Sequence, residues 1–404
     1  MSETSPQVQA GRKVFFSFLL VNMLSGIVRG TTMFVVNLYA LHLGANMLEL
    51  GLLRGITGFS ILIAALPLGF LADQFGGRRL YLFGEIAGAV LNLSLLVVTT
   101  PSELIVRSGL IGLTMAFRIA ALQSTLLEQL KVIGKSKAGW LRGSNFIGML
   151  FLGPIIGSLL LTFISYNGVF LVSTLAMGAV ILLAWLTLDE EPRHAKIPKL
   201  RFQFSFVRHV ASQVVLMAKN RQLVGATISE GLNSACFSVF SVFVLALALK
   251  VFSFTPQSAG QLMSLGGAAF VFAVFSGGYL VENVEFKKGL AVSFAVTILG
   301  LGMIGAASPH FILWVGAVVL GLAMGVTNVL TIMRVSNIRG RSGQVAGFYN
   351  VSTSMGNTFG PMLGGVVGKM FGPQAIFFLF IPLFALFGAW MFFISTPMEV
   401  YDEQ

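Results

Sequence analysis

The chain has 404 residues, 56% of them hydrophobic and only 10% charged; soluble domains carry about 25% charged residues, so a water-soluble globule is excluded and lipid is the expected solvent. The net charge of +11 is no signal of nucleic-acid binding, because the bases sit in short connectors and no basic patch is interleaved with aromatics. A single cysteine, Cys236, excludes an internal disulfide or a CxxC metal site, and four scattered histidines have no ligand spacing, so neither metal nor cofactor is expected.

A membrane-crossing helix needs about 20 mostly apolar residues. Twelve such runs are predicted, at 14–41, 48–72, 79–99, 104–127, 143–165, 167–188, 222–249, 257–281, 288–308, 311–334, 344–369 and 374–396. The first follows Arg12 and Lys13 and is too long for the apolar core of a cleaved signal, so it reads as a retained span. Between spans two and three lies 69–79, G-F-L-A-D-Q-F-G-G-R-R, a tight hairpin with an acid at Asp73 and bases at Arg78 and Arg79. A worn copy stands 209 residues later, with Gly278, Leu280, Glu282, Lys287 and Lys288 at the positions of Gly69, Leu71, Asp73, Arg78 and Arg79. Span five carries Gly153-Pro154-x-x-Gly157, and span eleven carries Gly356-x-x-x-Gly360-Pro361-x-x-Gly364-Gly365, at an offset of 207. Two motifs repeated in register predict two halves built on one plan. The expected division is a six-helix bundle over 1–188, a cytoplasmic linker over 189–221 and a second bundle over 222–404. In the linker, Phe206, Val207, Val210, Val214 and Met217 recur at helical spacing, which fits a helix on the membrane surface or a plain tether.

The bases set the orientation. Of 26, 20 fall in connectors on the N-terminal side, and only Lys250 and Lys369 fall in connectors on the other. The positive-inside rule then predicts a multi-pass protein of the cytoplasmic (inner) membrane with both termini in the cytoplasm. The remaining four, Arg29, Arg54, Arg107 and Arg118, lie within spans of the first half.

These features resemble the major facilitator superfamily. The hairpin is similar to that family's signature between helices two and three: Gly69, Leu71, Asp73, Gly76 and Arg78 match, while Gln74 and Gly77 replace two usual bases. Arg107, 47 residues before Pro154, resembles the arginine of the fourth-helix signature, with Gly112 one place late. Gly153, Pro154 and Gly157 are similar to the fifth-helix signature of the antiporter branch, with Met149 and Ser158 departing from it. The resemblance implies an all-α membrane protein of twelve transmembrane helices in two pseudo-symmetric six-helix bundles. It implies alternating access, a latch at Gly69, Asp73 and Arg78, a gating role at Arg107, and bending with tight packing at Gly153, Pro154, Gly157, Gly360 and Pro361.

A charge in mid-span costs about 3 kcal/mol on insertion scales and needs a use or a partner. Arg29 and Arg118 lie near the middles of spans one and four, which by the resemblance line the cavity, and two guanidinium groups there would attract an anionic group. Arg54 and Arg107 lie nearer the outer ends, where Glu49 and Glu103 can serve them structurally. Glu230 is the only acid embedded in a second-half span; a carboxyl taken out of water can carry a proton in the physiological range, and Glu85 is the other candidate. Asn37, Gln123, Asn233 and Asn328 can each hydrogen-bond a solute or tie two helices, the latter worth about 0.6 kcal/mol. Phe34, Phe117, Phe146, Phe237, Phe240 and Tyr349 can wall a greasy cavity.

The expectation is a proton-coupled exporter of a small organic solute, anionic or amphipathic, acting as a monomer in the bilayer. Proton-coupled uptake of an organic anion and flipping of a lipid or glycolipid are the alternatives. An enzyme is not expected, because no clustered acid, base or nucleophile is present.

Overall fold

The computed structural model describes residues 6–75, 77–133, 143–187, 221–281, 284–308, 310–336 and 342–393. Among them are twelve helices. The first six are α1 (Pro6–His42), α2 (Met47–Phe75), α3 (Gly77–Leu93, extended by a 3-10 turn over Ser94–Val97), α4 (Pro101–Ile133), α5 (Gly143–Phe163) and α6 (Tyr166–Thr187). The second six are α7 (Arg221–Lys250), α8 (Pro256–Val281), α9 (Phe286–Gly305), α10 (His310–Ser336), α11 (Ser342–Phe371) and α12 (Ala375–Phe393). Each falls on one of the twelve predicted spans. Ten are long and apolar enough to cross a membrane, and α12 contributes a shorter apolar stretch. Helices are the required form, because hydrocarbon offers no partner for an unpaired backbone N–H or C=O. The surface helix expected within 206–217 lies outside the described residues.

Two of the helices stop at a left-handed glycine. Gly44 (φ 84°) follows α1 and Gly372 (φ 88°) follows α11, a conformation that costs glycine nothing and L side chains much. Between α2 and α3 only residue 76 separates the two helices.

The two sets of six pack alike. In the first, α1 lies on α5, α2 on α4, α3 on α4, and α3 on α6; in the second, α7 lies on α11, α8 on α10, α9 on α10, and α9 on α12. The halves meet along two seams, α2 against α11 and α5 against α8. These seams are copies of each other. Gly51 and Gly260 stand 209 residues apart, and a Cβ on either would run into a proline carbonyl, Pro361 O in one seam and Pro154 O in the other. Gly58 and Gly267, also 209 apart, approach Asn357 and Leu150 in the same way, again equivalent positions. Small residues let the backbones close, which is the main attraction available between helices in lipid.

Candidate functional site

A cavity of about 360 Å³ lies between the two halves. The first half contributes Arg29 from α1, Arg54 from α2, and Asn145, Phe146 and Met149 from α5. The second contributes Glu230, Asn233 and Phe237 from α7, Phe270 from α8, Asn328 from α10, and Tyr349 and Asn357 from α11. Many of these positions lie toward the end at which α1, α5, α7 and α11 begin. The opposite end is tied shut. There Asn37 Nδ2 donates to Ser241 O (3.4 Å) and Lys250 Nζ donates to Ala45 O (3.0 Å), both bonds joining α1 or its following turn to α7.

Glu230 is buried on α7, yet borders the cavity. Its Oε1 accepts from Asn328 Nδ2 (2.9 Å) and its Oε2 from Thr331 Oγ1 (2.7 Å). Both partners are neutral, so a proton can arrive or leave without breaking an ion pair. Asn233, one turn along α7, donates to Met324 O (3.2 Å), and its buried Oδ1 has no partner among the described residues.

The arginines divide. Arg29 Nε and Nη2 donate to Ser25 O (3.2 Å) and Ser25 Oγ (3.4 Å), one turn back on its own helix. Among the described residues, Arg54 Nη1 reaches only Met33 Sδ (3.2 Å), and its Nε is buried without a partner. Neither makes an ion pair with another described residue. Arg118 does: its Nη1 lies 2.9 Å from Glu85 Oε1, with both side chains buried. This pair lines a smaller pocket of about 90 Å³ within the first half, which Arg29, Arg54 and Asn37 also border, and not the larger cavity. The structure therefore brings Arg29, Asn233, Asn328 and Glu230 together, and places Arg118, Glu85 and Asn37 elsewhere.

The gating candidates are spread through the fold. Arg107 Nη1 donates to Ser94 O (2.7 Å) and its Nη2 lies 3.8 Å from Glu103, tying the start of α4 to the turn after α3. Arg78 donates to Trp185 O on α6 and lies over that ring, 6.0 Å from its centroid. Around Pro154 the α5 backbone widens into a π-helical turn over Ile147–Leu152, in which Gly153 N–H donates to Gly148 O, five residues back. Proline has no N–H to give, which frees carbonyls one turn earlier. A Cβ on Gly153 would strike Gly30 of α1, and one on its counterpart Gly360 would strike Ala235 of α7. Gly157 abuts Phe34, and Pro361 sits inside an unbroken α11. The side chains of Gln123 and Asp73, and the surroundings of Gly69, lie outside the described residues.

Arg54 is the cavity residue that sequence reasoning assigned elsewhere. The signal was present in Asn46-x-x-Glu49, the spacing of a capping box. Glu49 Oε2 accepts from Asn46 N–H (2.8 Å) and Asn46 Oδ1 accepts from Glu49 N–H (3.1 Å), so that carboxylate is engaged at the start of α2.

The family model for the Major Facilitator Superfamily matches residues 18–229 and again 226–403. Multidrug resistance protein MdtG of Salmonella choleraesuis (strain SC-B67) is 23% identical over 346 residues, covering 83% of this chain and 82% of that protein. MdtG of Salmonella typhi gives the same figures, 23% over 346 residues. Among solved structures, the nucleoside transporter NupG superposes with a TM-score of 0.75 at 16% identity, covering 95% of this chain and 100% of that one. A variant of NupG gives 0.77 at 15% identity, covering 94% and 99%. Since the family match runs through both sets of six helices, this chain belongs to the Major Facilitator Superfamily and is a multi-pass membrane transporter.

Proposed function

We propose that the protein exports small organic solutes from the cytoplasm in exchange for protons, across a bacterial cytoplasmic membrane. The observation that carries this reading is Glu230: a buried carboxylate on the cavity wall, held by neutral donors alone. The multidrug resistance proteins it resembles supply the export direction by analogy. We take residues 1–188 and 222–404 as the two bundles and 189–221 as the linker between them. With the base-rich connectors in the cytoplasm, the cavity lies at the cytoplasmic end and the Asn37 and Lys250 ties close the outer end. Rocking along the two glycine seams would then break those ties and expose the cavity outward. A proton entering from outside would reach Glu230, release the solute, and leave inward when the halves rock back.

A second reading, uptake of an organic anion together with protons, is favoured by Arg29 and Arg54 on the cavity wall. Everted membrane vesicles separate the two. Solute accumulation driven by an acidic lumen supports export, and accumulation driven by an alkaline lumen supports uptake with protons. Accumulation insensitive to either gradient overturns both.

A further inference from the structure

The charges of the cavity are placed on opposite walls. Arg29 and Arg54 stand on the first half; Glu230 stands on the second; no other described residue bordering the cavity is an acid or a strong base. The hydrogen-bonding chemistry is divided the same way. Among the described residues, Arg54 Nε is a buried donor without a partner, and Asn233 Oδ1 is a buried acceptor without one. Between the walls, Phe270 touches Phe146 of the first half (centroids 5.5 Å apart) and Phe237 of the second (5.8 Å), a surface for a flat apolar middle.

This arrangement fixes the sign of coupling for each kind of solute. A simple anion would sit at Arg29 and Arg54, and protonation of Glu230 would remove a repelling charge. Anion and proton would then bind better together, which is cotransport. A simple cation would compete with the proton at Glu230, as exchange requires, but two guanidinium groups would repel it. Only a solute with both groups satisfies the arginines and still competes with the proton. Resting on the exchange reading above, we infer that the exported solute is dipolar, with an acid group for Arg29 and Arg54, an aromatic or flat apolar centre, and an ammonium group for Glu230.

The surroundings of Glu230 allow this competition. Facing it are Asn328 and Thr331 on α10, Tyr349 on α11 and Asn233 on its own helix. Arg334, nearly one turn beyond Thr331, lies over Phe286 of α9 at 5.4 Å. The ammonium group therefore meets the proton as its rival at the carboxylate.

The test is calorimetric binding to the purified full chain of three matched probes: para-(aminomethyl)benzoate, para-methylbenzoate and para-methylbenzylamine. Running each titration in two buffers of different ionisation enthalpy counts protons released. The dipolar probe is expected to bind about tenfold more tightly than either single ion, as one further charge-assisted contact provides, and to release protons on binding. Arg29→Gln is expected to weaken the dipolar probe and the benzoate and to leave the amine unchanged or tighter. Glu230→Gln is expected to weaken the dipolar probe and the amine, abolish proton release, and leave the benzoate unchanged or tighter. Arg29→Lys and Glu230→Asp keep the charges and are expected to recover much of the binding, which separates charge from folding. The inference is overturned if the dipolar probe binds no better than the better single ion, if none of the three binds at millimolar concentration, or if both neutral variants weaken all three alike. Vesicle accumulation driven by an alkaline lumen, with the binding order intact, would instead overturn the exchange reading.

Discussion

Arg118 Nη1 and Glu85 Oε1 meet at 2.9 Å between α4 and α3, where both side chains are buried, and Ser25 of α1 closes the triangle. Ser25 Oγ donates to Glu85 Oε1 (3.1 Å) and lies 3.2 Å from Arg118 Nη1. Three helices of the first half are thereby pinned at one point. Removing one charge leaves the other buried and uncompensated, at a cost of about 3–5 kcal/mol. Glu85→Gln and Arg118→Gln should each lower the thermal midpoint of the purified protein sharply. The double variant should cost less than their sum. A strictly additive pair would show that the two groups do not depend on each other.

At the closed end, Asn37 and Lys250 donate to backbone carbonyls across the boundary between halves. Each such bond is worth about 1 kcal/mol. Removing both in Asn37→Ala/Lys250→Ala should favour states in which that end is open. Cys236, on α7 and fully buried, is the only cysteine in the chain and reports such opening. Its reaction with a small maleimide should quicken about thirtyfold in the double variant, the change expected from two bonds. An unchanged rate would show that the two bonds do not hold α7 in place.

The twin seams predict twin effects. Gly51→Val and Gly260→Val place side-chain atoms against the backbone of α11 and α5 at equivalent points. Each should cost about 1–3 kcal/mol as an overpacked contact. Each should also lengthen the distance between spin labels placed at the closed ends of the two helices in its seam. Substitutions tolerated without any change in midpoint or distance would count against the seam as the sliding surface.

Pro154 lacks the N–H that would close an ordinary turn, and the π-helical turn over Ile147–Leu152 precedes it. Pro154→Ala restores that donor. Amide exchange over 147–154 should slow as the turn regularises, and transport should slow while solute affinity holds. Faster exchange there would show that proline is not what keeps the turn wide.

Much of the architecture is legible in the sequence. Uniformly apolar runs reported all twelve helices, because a membrane tolerates few polar residues in them. The repeated Gly-Pro motif reported the two halves, since the same close contact recurs at Pro154 and Pro361. The facing of each helix was much harder to read. In helices such as α1, α2 and α7 the apolar residues are spread round the helix, so no stripe marks the side turned to the cavity. Depth alone therefore pairs Arg54 with Glu49, although Glu49 is engaged by Asn46. The sequence points Arg118 at a solute because its ion-pair partner Glu85 lies on another helix, 33 residues away. Glu103 was easier, being four residues from Arg107 on one helix face.

The most direct measurement compares wild-type protein with Glu230→Gln in everted vesicles given an acidic lumen. The wild type should accumulate solute against its gradient, and dissipating the pH difference should release it. Glu230→Gln should only equilibrate solute, at a rate indifferent to lumen pH. Undiminished, gradient-driven accumulation by Glu230→Gln would contradict the account.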